Sequence, residues 1–199
     1  MKRILFFALI SILFISSCGT TVERVEPGTQ PDLSGLWNAI DIRIVCDSLI
    51  RDMLSNPRID QIIRDAGNRK PVIIVGRFRN ESSEHIDTGI ISEIMETAIF
   101  NSGRLDFVAP AGLRDEIRAE RQSQQQNASQ ETVARMGREI GADFMLTGTV
   151  RSNVDRGANR TVRTYFVRAE LTNIETNARV WLGDNNEITK IVNRPNNRL

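Results

Sequence analysis

Pro71-Val72-Ile73-Ile74-Val75-Gly76 is an unbroken apolar run rich in β-branched residues, and the text on its carboxyl side decides the fold. Such side chains are stiff at χ1 and pack well on a pleated surface, and a continuous run predicts a central strand covered on both faces. Asn80 to His85 reads as a polar loop at its end, after which Asp87 or Thr88 caps a helix. In that helix Ile90, Ile91, Ile94, Met95, Ala98 and Ile99 recur at helical spacing and face inward, and Ser102-Gly103 ends it. Leu105-Asp106-Phe107-Val108 is the next strand. Strand, helix and strand in that order predict a parallel crossover unit.

Upstream, Asp32-Leu33-Ser34-Gly35-Leu36-Trp37-Asn38 is a turn-rich lead-in to a helix whose Ile42, Val45, Cys46, Leu49, Ile50 and Met53 form one apolar face. Cys46 on that face reads as a core thiol. Asn56-Pro57 opens a second, shorter helix carrying Ile59, Ile62 and Ile63, and Gly67 closes it. Downstream, Ala111 to Gly141 is helical but polar, with Gln122 to Gln126 breaking the pattern as a low-complexity surface stretch or a helix extension before a restart through Val133, Met136 and Ile140. Asp143 to Val150 is a strand and Thr161 to Ile174 another, with Asp155 to Arg160 as the hairpin turn between them. A second turn over Asn173 to Asn177 leads into Arg179-Val180-Trp181-Leu182-Gly183, read as the last strand. The expected architecture is an α/β (α+β) sandwich, a mixed β-sheet of about four to five strands with flanking helices and an antiparallel carboxyl half.

The chain has 199 residues and 40% hydrophobic content, enough for one ordinary domain behind a leader. Met1-Lys2-Arg3 is a basic start, and Ile4 to Ile15 is apolar but too short for the roughly 20 residues that span a bilayer. Ile15-Ser16-Ser17-Cys18 resembles the lipobox of bacterial lipoproteins, which predicts a signal peptide over residues 1–17 and diacylglycerol plus an N-acyl chain on Cys18. Gly19 in place of an aspartate points to the outer membrane under the sorting rule of that class. Gly19 to Pro31 reads as a flexible tether that reaches at most about 45 Å, so residues 18–31 would link the lipid to one globular periplasmic domain over 32–199. With the leader gone, 24 basic residues face 25 acidic ones, a balance that argues against nucleic acid. Lipidated Cys18 leaves Cys46 without a disulfide partner, and one histidine with no cysteine pair argues against a metal centre or other cofactor.

No nucleophile elbow, phosphate loop, dinucleotide motif or zinc-protease motif occurs, so no catalytic residue is assigned and a non-enzyme is expected. His85, within Glu81-Ser82-Ser83-Glu84-His85, reads as a solvated loop residue. The sharper feature is positive charge around the hairpin, where Arg151, Arg156, Arg160, Arg163 and Arg168 meet only Asp155 and Glu170 as acids. Planar guanidinium donors suit carboxylates on an acidic partner, and Arg151, Arg156, Arg160 and Arg163 are the candidate partner-binding residues. Arg163 and Arg168 are an odd number of residues apart on one strand and should point to opposite faces.

Val75-Gly76-Arg77-Phe78-Arg79-Asn80-Glu81-Ser82-Ser83-Glu84-His85-Ile86-Asp87-Thr88 resembles the strand-and-loop signature of the penicillin-binding protein activator LpoB family. So do the Asp32 to Asn38 lead-in, Gly141-Ala142-Asp143-Phe144-Met145-Leu146-Thr147-Gly148 and Val180-Trp181-Leu182-Gly183, in order across the mature domain. The resemblance implies a fold like the amino-terminal domain of TolB. It also implies an outer-membrane lipoprotein that binds and activates a class A penicillin-binding protein, with a tether shorter than in the best-known members. The alternative is a periplasmic subunit of a CsgG-like lipoprotein secretion or envelope assembly complex, although no spare membrane-spanning strand pair is legible.

Overall fold

The computed structural model describes residues 24–26, 28–29, 31–67, 69–109, 111–127 and 141–193. The predicted signal peptide, Cys18 and the helical restart through Val133, Met136 and Ile140 lie outside the described residues. Two units are distinguished, Met1–Pro31 and Asp32–Leu199, and every element below belongs to the second.

Helix α1 (Ala39–Ser55) starts where Asn38 accepts from the backbone N–H groups of Ile40 and Asp41 while Asp41 accepts from the Asn38 N–H, a reciprocal capping box. Its predicted stripe, Ile42, Val45, Cys46, Leu49, Ile50 and Met53, is buried throughout. Burial pushes the Cys46 thiol up to about 12, the behaviour of a packed hydrophobe. Asn56 caps α2 (Pro57–Asp65), with Pro57 in the first turn and Gly67 at φ +65° beyond its end. Asp87 caps α3 (Thr88–Asn101), which buries Ile91, Met95 and Ile99, whereas Ile90 is 41% exposed and does not face inward as its spacing suggested. Helix α4 (Ala111–Asn127) runs through the glutamine stretch, which of its two readings is the helix extension.

Among the described residues the sheet has six strands: β1 (Val72–Asn80), β2 (Asp106–Phe107), β3 (Phe144–Arg156), β4 (Arg160–Asn173), β5 (Arg179–Asn185) and β6 (Thr189–Asn193). Their order is β2-β1-β3-β4-β5, and β6 also pairs with β4. β1 is parallel to β2 and β3, so the crossover unit is present, and the remaining pairs are antiparallel. β5 is not the last strand. β6 follows it, pairing with Arg160 to Thr164 of β4 where β5 pairs with Val167 to Thr172, so the two share one edge end to end. The hairpin strands also run further than expected and leave only Gly157, Ala158 and Asn159 as the turn.

Helices α1 and α3 pack on one face of this sheet, α1 on β5 and α3 on β1, and they touch each other. The strand residues aimed at them include Ile73, Phe78, Leu146, Val150, Tyr165, Val167, Leu171 and Trp181, all buried. Burying each such side chain contributes roughly 1.5–3 kcal/mol. Their neighbours of opposite parity, including Met145, Arg151, Phe166, Arg168 and Leu182, are exposed. β1 is therefore not covered on both faces by any described element. Its apolar run reflects a central position in the sheet, and Ile74, Val75 and Gly76 are only half-buried.

The strand ends are pinned by Asp143. Its carboxylate takes a two-pronged hydrogen bond from Arg69, at 2.6 and 2.7 Å, and a third from the Val72 N–H at 2.9 Å. The Arg69 guanidinium holds that carboxyl below its ordinary range. This accounts for the aspartate of the Gly141-Ala142-Asp143 motif: it aligns the start of β3 with the start of β1.

Candidate functional site

The loop after β1 folds around its own first residue. Asn80 donates to the Glu84 carbonyl at 2.7 Å and accepts from the Ser82 N–H and hydroxyl, which turns the Glu84 side chain inward. There Glu84 accepts from the Tyr165 hydroxyl at 2.7 and 2.9 Å and from the Trp37 backbone N–H at 3.2 Å, and it pairs with Arg163 Nε at 3.1 Å. The Trp37 ring meets Tyr165 edge-on at 5.0 Å. Burial, then the adjoining Glu84 carboxylate, raises the Tyr165 phenol. Glu84 is thus committed to a buried network, while His85 is exposed beside it.

A second cluster holds the lead-in. Lys190 Nζ reaches Asp41 at 2.6 Å, Asp32 at 2.8 Å and the Leu36 carbonyl at 2.6 Å. The hydrogen bond from Lys190 keeps the Asp32 carboxyl below its ordinary range. Gly35 closes this turn at φ +64°, where a Cβ would stand 2.2 Å from a methyl of Val192. The Asp32 to Asn38 motif is therefore a strap clamped to β6 and to the start of α1.

The uncovered face of the sheet carries the polar chemistry. Ile73 and Val75 point into the core, and unbroken alternation would send Arg77 and Arg79 after them and turn Phe78 outward. A β-bulge prevents this: between Val75 and Phe78 the register advances three residues on β1 against two on β3. Phe78 returns to the core over Gly148, where an added Cβ would come within 2.2 Å of its ring. Arg77 and Arg79 line a cleft of about 380 Å³ on the open face, joined there by Arg151, Arg168 and Arg179. Thr147, Gly148 and Thr149 form its floor, and Glu170 is the one acid in the lining. Around the rim, Arg151 donates to Glu81 at 2.7 Å and Arg168 is held by Asp184 at 2.7 and 2.9 Å.

The four candidate arginines do not converge. Arg151 sits at the cleft, Arg156 and Arg160 are exposed at the two sides of the hairpin turn, and Arg163 is 17% exposed on the opposite face against Glu84. The opposite orientation of Arg163 and Arg168 follows from their odd spacing. Among the described residues neither Arg156 nor Arg160 has an ion-pair partner. Arg77 and Arg79, which lie in the stretch that carries the family resemblance, and the distant Arg179 complete the cleft; plain alternation aims the first two into the core, so their spacing does not mark them for this face. Among the described residues no group of three histidine, cysteine, aspartate or glutamate side chains is arranged to hold a metal ion.

These features define an α+β domain with one sheet face packed under helices and the other presenting a cationic cleft beside a charged hairpin. The sequence matches the peptidoglycan-synthase activator LpoB family over residues 41–187, and the chain belongs to that family. Among solved structures it is similar to the LpoB carboxyl-terminal domain from Salmonella enterica, at 16% identity, 65% of this chain, 92% of that one and a TM-score of 0.36. The same domain from Escherichia coli matches at 15% identity, 75% and 98% coverage and a TM-score of 0.39. The lipoprotein GNA1162 from Neisseria meningitidis matches at 18% identity, 65% and 88% coverage and a TM-score of 0.38. No curated protein sequence matches the chain.

Proposed function

We propose that this chain is an outer-membrane lipoprotein, acylated on Cys18, whose periplasmic domain binds a class A penicillin-binding protein and raises its peptidoglycan synthesis without forming or breaking bonds itself. The family match carries this reading, because it runs from the first turn of α1 to the turn before β6 and so takes in the whole sheet apart from that last strand. A binding protein changes its target's rate by favouring the active conformation, and a differential of about 1.4 kcal/mol shifts that equilibrium tenfold. The exposed, unpaired Arg156 and Arg160 supply contacts of that size to an acidic partner surface with no demand on the core.

Glycan polymerisation by a purified class A synthase, measured with and without the lipoprotein, tests the reading. Stimulation is expected, and Arg156→Glu with Arg160→Glu lowers it while leaving the melting temperature unchanged. Full stimulation by the folded double variant would remove the hairpin from the interface. Absence of stimulation by the unaltered protein across the host's class A synthases would overturn the assignment. Cys18→Ala is expected to abolish palmitate incorporation.

A further inference from the structure

We propose that the cationic cleft on the open sheet face binds the free carboxylates and amine of uncrosslinked peptidoglycan peptides. The cleft gathers five guanidinium groups with one acid, Glu170, in its lining, while at the rim Glu81 pairs with Arg151 at 2.7 Å and Arg79 at 3.6 Å and Asp184 holds Arg168. Five guanidinium groups against these three carboxylates leave two positive charges uncompensated, and a bound anion offsets that excess. The bulge at Gly76-Arg77 is what brings Arg77 and Arg79 to this face, and Arg77 has no hydrogen-bond or ion-pair partner among the described residues. Guanidinium forks match carboxylates with two parallel hydrogen bonds, and the Thr147 and Thr149 side chains add hydroxyls. Glu170 pairs only loosely with Arg179, at 3.7 Å, which leaves it able to take an ammonium group.

A ligand complementary to this wall carries several carboxylates and one amine. The lining is concave and has no tryptophan or tyrosine, the aromatic anchors that accompany arginine in protein–protein hot spots, so a small zwitterionic peptide is the occupant that matches it. Its volume is also that of a small-ligand site. A stem peptide with a diamino acid has this pattern until crosslinking consumes the amine. The identity of the polymer rests on the family reading above, and the chemistry of the cleft does not. The cleft would report how much freshly polymerised, uncrosslinked strand surrounds the protein.

Calorimetric titration of the full chain in detergent with a purified disaccharide-tetrapeptide fragment tests the proposal. Binding is expected, weakened at least tenfold when the fragment's carboxylates are amidated and at least tenfold by Arg77→Ala with Arg79→Ala. Arg77→Lys with Arg79→Lys, which keeps charge but not the fork, gives an intermediate loss. Acetylating the fragment's amine weakens binding to the unaltered protein but not to Glu170→Gln. No binding, or equal binding of the amidated fragment, overturns the proposal. So does loss of synthase stimulation in the alanine pair when the unaltered protein binds no fragment, because the cleft is then a protein interface. Stimulation retained by the alanine pair with fragment binding lost supports it. Fragment binding without any stimulation removes the synthase reading and leaves the cleft standing.

Discussion

The two faces of this sheet are written on the same strands, residue by residue, yet obey different physics. On β4, Tyr165, Val167, Ala169 and Leu171 are buried under helices, while Phe166, Arg168 and Glu170 between them face outward. The covered face is closely fitted. Gly183 lies under the Trp181 ring, where an added Cβ would come within 2.4 Å of it, and the indole N–H is satisfied by Asp52 at 2.9 Å. The open face is a field of paired and unpaired charges that contributes little to stability, since exposed ion pairs are worth about 0–1 kcal/mol. Stability and recognition are thus separated by parity, and a change of one face need not disturb the other.

The bulge is where that separation is weakest, and opposing it should have the largest effect. Exchanging its two flanking side chains, as Phe78→Arg with Arg79→Phe, puts a guanidinium at the inward position over Gly148 and a phenyl ring on the open face. Losing Phe78 from the core costs about 3–5 kcal/mol and burying an unpaired guanidinium costs more, together comparable to a whole domain's stability. The exchanged variant is expected to show no cooperative thermal transition. A native-like melt would mean that β1 can slip its register.

Neighbouring truncations on β3 sharpen the same contrast. Leu146 is fully buried and Met145 is 38% exposed. Leu146→Ala should lower stability by about 2–5 kcal/mol and Met145→Ala by no more than about 0.5 kcal/mol in urea titrations. Equal losses would show that the open face is covered in solution.

The smallest effect concerns acid. Asp143 is held below its ordinary value of 3.8 by Arg69, so its contribution is complete at pH values above that figure and is lost as pH falls through the lowered value. The gap in stability between the protein and Asp143→Asn, about 1 kcal/mol at most, should stay constant from pH 7 to about 4 and close below it. A gap that is unchanged at pH 2 would detach Asp143 from the Arg69 pair.

The helices were legible because their signals are local: the α1 stripe, the Asn56-Pro57 start and the glycines at 67 and 103 all lie within a few residues of what they control. β6 was not legible, because its inward position is Lys190, which breaks apolar alternation and is tolerated only through Asp32 and Asp41 far away in sequence. The uncovered face of β1 was missed for a related reason. An apolar run records a central strand, and the layer that would cover its second side is a separate fact. Of the arginines, only parity on β4 was readable in advance. The cleft needs the parallel register of β1 with β3, the bulge and the β4 to β5 pairing, and none of these is encoded in one stretch of chain.

The strap at Asp32 has a mechanical consequence. If the chain is anchored through Cys18 as proposed, a pull from the envelope would enter the folded domain at Asp32. The load does not pass first to the start of α1, whose buried Asp41 shares a lysine with Asp32. It meets Lys190, and through the five-residue strand β6 it spreads into β4 at the centre of the sheet. The clamp works as a cable's strain relief does, taking tension before it reaches the part that must keep its shape.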